Sequence, residues 1–194
     1  MAARRNPPLS AAEIVAVALR LSADDGLEGL SMRAVAAELG VTPMALYHHV
    51  RDRATLLELV TDALVAAVAP PADDLGWEDW LIAYHDGLWA QLRGRRSVAR
   101  HLLEHPSVPA GAAIRRRTVE VLVRDGFDGP TALLAASTFH THLLGRLAVA
   151  ALPPGAARAD EPAWRNGGLT GEDYARFGVL TIVSGLRALR TPPR

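Results

Sequence analysis

Ser31-Met-Arg-Ala-Val-Ala-Ala-Glu-Leu-Gly40-Val-Thr-Pro-Met-Ala-Leu-Tyr-His-His-Val50-Arg-Asp-Arg53 is the stretch that decides the fold. Ser31 is a helix N-cap residue, and Leu30 and Val35 stand at the two staple positions around it. Val35, Ala36 and Leu39 then give one short apolar helical face, and Gly40 suits the left-handed position that ends such a helix. Gly40 and Val41 make a turn, Thr42 offers another cap, and Pro43 falls at the first helical position, where its missing N–H costs nothing. The next helix is expected over about Pro43 to Val50, with Leu46 and Val50 on its inner face. Two short helices joined by a Gly-Val-Thr turn form a helix-turn-helix, whose second helix lies in the DNA major groove.

The flanking residues extend the same pattern. Ser10 and Glu13 are spaced as a capping box, Leu9 and Ile14 as a staple, and Ile14, Val17, Ala18 and Leu21 follow at helical spacing up to Asp24-Asp25-Gly26. Asp52 caps a further helix running from Arg53 through Leu56, Leu57, Val60 and Leu64 to Pro70-Pro71. Apolar periodic stretches continue at about 75–92, 96–105, 110–125 and Pro130–Leu152, with a last one after Thr170. Residues 153–168, rich in Pro, Gly, Ala and charge, read as a mobile loop. No stretch alternates as a strand would, so the fold class is all-α. The expected organisation is an N-terminal arm (1–8), a three-helix helix-turn-helix domain (9–52), a connecting helix (53–70) and a helical ligand-binding and dimerisation domain (71–194).

Composition narrows the function classes. The 194 residues are 49% hydrophobic and 22% charged, as in ordinary packed proteins. Cysteine is absent, which excludes disulfides and thiol nucleophiles and fits the cytoplasm. No secretory signal is expected, because the first residues pass from charge directly to proline. The apolar run from Thr131 to Leu152 is interrupted by His140, His142 and Arg146, so it reads as a buried helix and no membrane partner is expected. Formal net charge is zero, and the first sixty residues hold six Arg against seven Asp and Glu. Affinity for DNA must therefore come from local geometry instead of bulk charge.

The segment from Ser10 to Leu64 closely resembles the DNA-binding domain of the TetR family of bacterial repressors. Its recurring elements stand here as Leu39-Gly40-Val41, Leu46-Tyr47-His48-His49-Val50 and Leu56-Leu57. By that resemblance, Arg33, Thr42, Pro43, Met44 and Ala45 reach bases or nearby backbone, while Tyr47, His49 and Arg53, with His48 beside them, meet phosphates. Tyr hydroxyls and His N–H groups are suitable phosphate donors. Arg53 replaces the Lys usual at this position and preserves a phosphate contact. Pro43 and Met44 carry no bidentate donor, so base reading is expected to rest on Arg33 and on apolar contact with thymine methyls.

A weaker resemblance links Gly76-Trp77-Glu78-Asp79-Trp80-Leu81, Arg100-His101-Leu102 and Thr118 to Phe127 with the C-terminal domain of the tetracycline repressor. It implies a body that dimerises and encloses a ligand. His101 stands at a position matching that protein's drug-site His, but Tyr84, Leu88 and Leu122 replace polar positions, which argues against tetracycline itself. From the residues alone, Trp80, Tyr84, Leu88, His101, His105, Leu122, Phe139 and His140 are candidates for the lining of a small-molecule site; the same apolar stripe serves equally as core packing. No cofactor and no metal are expected.

Two rival functions arise from the same residues. His101-Leu-Leu-Glu104-His105 fits the H-x-x-E-H pattern of inverted zinc peptidases, with both His on one helical face, but Pro106 follows at once and no third ligand is placed by a motif. The other rival is a helical ligand-binding protein without DNA affinity. The dimer surface is expected on the helix from Pro130 to Leu152 and on the last helix, including Leu180, Val183, Leu186 and Leu189. Together these features imply a non-enzymatic regulator: a homodimer on a palindromic operator, released by a small-molecule inducer.

Overall fold

The computed structural model describes residues 9–27, 29–93, 95–105, 108–150 and 168–190. Among them are nine helices and no strand: α1 (Ala11–Asp25), α2 (Met32–Glu38), α3 (Pro43–Tyr47), α4 (Arg53–Ala66), α5 (Trp77–Leu92), α6 (Arg96–Glu104), α7 (Pro109–Arg124), α8 (Gly129–Ala150) and α9 (Gly171–Leu189). The all-α expectation is met. The arm at 1–8 and nearly all of the loop expected at 153–168 lie outside the described residues.

Helix starts follow local chemistry. Ser10 Oγ accepts from Glu13 N–H at 3.2 Å, Ser31 Oγ from Ala34 N–H at 3.1 Å, and Asp52 Oδ1 from Thr55 N–H at 2.8 Å. Thr170 and Asp173 close a reciprocal capping box on α9. Other starts are capped from a distant helix. Trp77 N–H at the head of α5 donates to Asp125 Oδ2 at 2.7 Å, and Ala110 N–H in the first turn of α7 donates to Asp62 Oδ1 at 2.6 Å. These side chains satisfy donors that helix geometry leaves open, and they fix one helix against another.

The helices α1 to α3 close on Ile14, Val35, Leu46 and Val50, all with no exposed surface. Helix α4 packs against α1 on one side and against α5, α6 and α7 on the other. The rest of the chain is built around α8, which packs against α5, α6, α7 and α9. Its core holds Trp80, Leu81, Leu88, Leu122 and Phe139, and the Trp77 ring meets Phe127 edge-on at 5.1 Å. Arg176 pairs with Asp86 and Arg187 with Glu78, joining α9 to α5 at the surface.

Three expectations are corrected. The third helix ends at Tyr47, short of Val50, because His49 and Val50 N–H both turn back onto the Leu46 carbonyl at 2.9 and 2.8 Å and close a tight final turn. Thr42 makes no side-chain cap; only its carbonyl is used, accepting from Ala45 N–H at 3.0 Å. Val183 and Leu186, expected on the dimer surface, are buried within the chain, whereas Phe177, Leu180 and Leu189 are exposed. Helix α9 turns its apolar stripe inward onto α5 and α8 and leaves a second apolar strip outside.

Candidate nucleic-acid interface and ligand cavity

The turn between α2 and α3 depends on one backbone conformation. Gly40 has φ +66°, which lets its N–H bond to the Ala37 carbonyl at 3.1 Å while Val41 N–H reaches Ala36 at 3.0 Å. No Cβ would be crowded there, yet an L side chain at that φ is strained. The turn delivers α3 with Leu46 and Val50 fully buried and Thr42, Pro43, Met44, Tyr47, His48 and His49 exposed. Ala45 is half-buried, and Arg33 is exposed on α2. Met44 is 68% and Tyr47 48% exposed, an uncommon state for large apolar and aromatic side chains in a short, otherwise anchored helix. Arg33 and the α3 side chains thus belong to one surface unit, held from behind by four apolar anchors.

Arg53 takes a different part. Its Nε donates to the Leu30 carbonyl at 2.7 Å and its Nη2 to the Leu27 carbonyl at 3.1 Å. The guanidinium therefore ties the head of α4 to the loop that precedes Ser31. Arg51, which sequence reasoning missed, is exposed beside it, with Nε 3.0 Å from Asp52 Oδ2. Asp52 itself is held down to about 2 by hydrogen bonds from the Thr55 backbone and hydroxyl, then by Arg51, so the cap stays ionised.

Behind this unit lies a cavity of about 310 Å³, walled by α4 to α8. Of the eight candidates for its lining, the structure brings Leu88, His105 and His140 to the wall. Trp80, Leu122 and Phe139 are core with no exposed surface, and Tyr84 faces a separate cleft between α4, α5 and α7. Burial pushes the Tyr84 phenol up to about 12. His101 is buried next to the wall, its ring 4.4 Å from that of His105, and burial followed by the neighbouring His105 lowers its pKa. Sequence reasoning missed Val65, Leu102, Ile114, Arg115, Ser137 and Thr141, all on the wall. Gly111, Ile114 and Arg115 are spaced for one helical face, but only the packed arrangement reveals that this face meets a cavity.

Two imidazoles in the cavity region hold buried nitrogens without a protein hydrogen bond. Neither nitrogen of His140 has a hydrogen bond, and neither does His101 Nε2. Burial, and after it the charge of Arg115, holds the His140 pKa at about 4, so its ring is neutral at physiological pH. The zinc-peptidase pattern does not assemble a centre: Glu104 is exposed, and no group of three or more His, Asp or Glu among the described residues could hold a metal ion. No helix among the described residues is long and apolar enough to cross a membrane.

A surface-presented helix-turn-helix backed by a helical body with a mainly apolar cavity defines a DNA-binding transcriptional regulator. Residues 14–60 match the family model described as bacterial regulatory proteins, tetR family. The HTH-type transcriptional repressor DrrR1 of Streptomyces coeruleorubidus is 30% identical over 192 residues, covering 96% of this chain and 67% of that protein. The tetracycline repressor protein class C of Escherichia coli is 32% identical over 137 residues, covering 65% of this chain and 60% of that repressor. The solved structure of the Streptomyces coelicolor TetR family protein ActR in complex with actinorhodin superimposes with a TM-score of 0.79 at 25% identity, covering 96% of this chain and 99% of that one. The chain belongs to the TetR family of bacterial regulatory proteins.

Proposed function

We propose that the protein is a ligand-released repressor that binds a palindromic operator as a homodimer. The observation that carries this reading is the α3 surface, where Thr42, Pro43, Met44, Tyr47, His48 and His49 are exposed on a segment pinned by fully buried Leu46 and Val50. A five-residue helix is not stable alone, so its exposed polar and apolar side chains are held in place by the rest of the unit. Residues 9–52 act as the reading unit, 53–70 as the connection and 71–194 as the ligand-binding and dimerising body.

In this reading Arg33 and the apolar side chains of Pro43, Met44 and Ala45 meet base edges, and Tyr47, His48, His49 and Arg51 meet phosphate. Arg53, anchored on the Leu27 and Leu30 carbonyls, positions the reading unit against α4 and brings its positive charge to the DNA phosphates. Two copies related by a two-fold axis set their α3 helices about 34–36 Å apart in successive major grooves. The contact between copies is a four-helix arrangement of α8 and α9, for which exposed Leu133, Leu134, Phe177, Leu180 and Leu189 supply the apolar surface. A small molecule in the 310 Å³ cavity favours a different dimer geometry and so weakens operator binding.

Selection of bound fragments from a genomic DNA pool tests the reading and yields the operator in the same experiment. Arg33→Ala and Tyr47→Ala should each lower affinity for the selected site by about five- to a hundredfold, since one lost charge-assisted or phosphate contact is worth about 1–3 kcal/mol. Helical circular dichroism should not change, as both side chains are exposed. Equal binding by both variants and the parent would end the regulator reading.

A further inference from the structure

We propose that the cleft between α4, α5 and α7 is a second ligand site, for a compact apolar molecule whose uncharged carbonyl accepts a hydrogen bond from the Tyr84 hydroxyl. The cleft stands apart from the 310 Å³ cavity and shares with it only Val65 and Ile114, which form a partition between the two.

The cleft holds about 420 Å³. Val65, Val68, Pro70, Ala110 and Ile114 give it aliphatic walls, which suit an apolar body. Tyr84 is 3% exposed, and its ring is set by Trp80, with centroids 4.8 Å apart and planes at 64°. Trp80 is tied in turn, its Nε1 donating to the Pro71 carbonyl at 3.3 Å. The Tyr84 hydroxyl makes no hydrogen bond with the described residues, yet it is not sealed in as the His140 nitrogens are, and it opens on the cleft that Tyr84 lines. A phenol O–H so largely withdrawn from water is costly to leave without an acceptor, and a ligand oxygen placed there removes that cost. Ala110 on the same wall is the residue whose N–H is held by Asp62 of α4, so a ligand in the cleft sits at the joint between α4 and α7.

The surroundings select the acceptor. Burial alone raises the Tyr84 pKa, to about 12, so no cation lies close enough to hold an anion beside the hydroxyl. Arg117, at the edge of the cleft, is engaged by Asp73 and by Glu120, the latter at 3.1 Å. A carboxylate seated on Tyr84 would be buried without a counter-charge, which is strongly unfavourable. An alcohol or amide brings a donor of its own, and the carboxylate of the lining, Glu120, is already spent on Arg117. A ketone only accepts; it satisfies the phenol and adds no donor that needs a partner.

The test is calorimetric titration of the full chain with four bicyclic probes: 1-tetralone, tetralin, 1-tetralol and tetralin-1-carboxylate. The ketone should bind more tightly than the carboxylate. Tyr84→Phe, which removes only the hydroxyl, should weaken 1-tetralone about fivefold or more while leaving tetralin unchanged, and 1-tetralol should lose less than the ketone. Ala113→Trp, which sets an indole on an exposed residue at the edge of the cleft, should block 1-tetralone. An equal response of ketone and hydrocarbon to Tyr84→Phe, a larger loss for the alcohol, or tighter binding of the carboxylate would overturn the carbonyl assignment. Failure of the ketone to bind, or an affinity that neither substitution changes, would overturn the cleft as a ligand site, whether or not the 310 Å³ cavity takes an inducer. The comparison of ketone with carboxylate needs no variant, so it decides even where a substitution disturbs the fold.

Discussion

His140 also sets a pH dependence for the fold. Its pKa of about 4 in the folded chain lies below its ordinary 6.5, so between those values the unfolded chain binds a proton that the folded chain refuses. The stability that depends on neutral His140 is complete above pH 6.5 and falls as the solution is acidified toward pH 4. The full loss is on the order of 3 kcal/mol for a shift of this size. His101 and His85 are shifted in the same direction, first by burial, and add to the slope. Urea midpoints compared at pH 7 and pH 4.5 should reveal the drop. In His140→Leu the drop should shrink, and an unchanged pH profile would contradict the burial argument. At this scale the reading unit was legible from sequence, because the identities of Ser31, Gly40, Leu46 and Tyr47 report their local backbone and exposure. Arg53 was legible only in part: its charge at a helix head was plain, but the carbonyls of Leu27 and Leu30 that hold it come from a loop more than twenty residues away.

At the scale of elements, the junction of α8 and α9 turns on Gly178. A methyl group there would overlap the imidazole of His142, whose Nε2 lies 3.0 Å from the Ala175 carbonyl one turn earlier on α9. His142 in turn stacks on His85 of α5, centroids 5.9 Å apart and planes at 18°, so three helices meet on one pair of rings. Gly178→Ala should cost about 1–3 kcal/mol, the usual range for overfilling a packed site. Adding His142→Ala should recover much of that loss, and the double-mutant cycle in denaturant would measure the coupling directly. Additive losses would mean that the two side chains do not share the space. The helix starts at Ser10, Ser31 and Asp52 were readable because each cap lies within three residues of its partner. The starts of α5 and α7 were not marked in this way, since their caps, Asp125 and Asp62, are both 48 residues away. Periodicity identified the apolar stripes of α8 and α9 but not the partner each stripe meets. Hence Val183 and Leu186 turned inward against expectation, and Trp80, Leu122 and Phe139 became core while Arg115 and Ile114 reached the cavity.

For the whole molecule, the outer strip of α8 and α9 carries the largest consequence. Phe177 is 73%, Leu134 70% and Leu189 67% exposed, and exposed apolar surface gathered on neighbouring helices marks an interaction site. Phe177→Glu should convert the proposed dimer to a monomer in sedimentation experiments while leaving the helical content unchanged, because the side chain is 73% exposed. Operator affinity should fall about a hundredfold or more, since each half-site would then be bound without the other. A monomeric parent protein, or a Phe177→Glu variant that remains dimeric, would place the contact elsewhere.

Helix α4 belongs to two packed layers at once, pressed on α1 in front and on α5, α6 and α7 behind, and Asp62 bolts its middle to the first turn of α7. That makes it a lever with its fulcrum beside the cavity. In that arrangement a small displacement of the α7 head would swing the far end, where Arg53 grips the loop before α2, through a wider arc. In a two-fold assembly the arcs of the two copies add. On the proposed dimer the gap between the α3 helices would therefore respond to the cavity with a built-in gain, set by where Asp62 falls along α4.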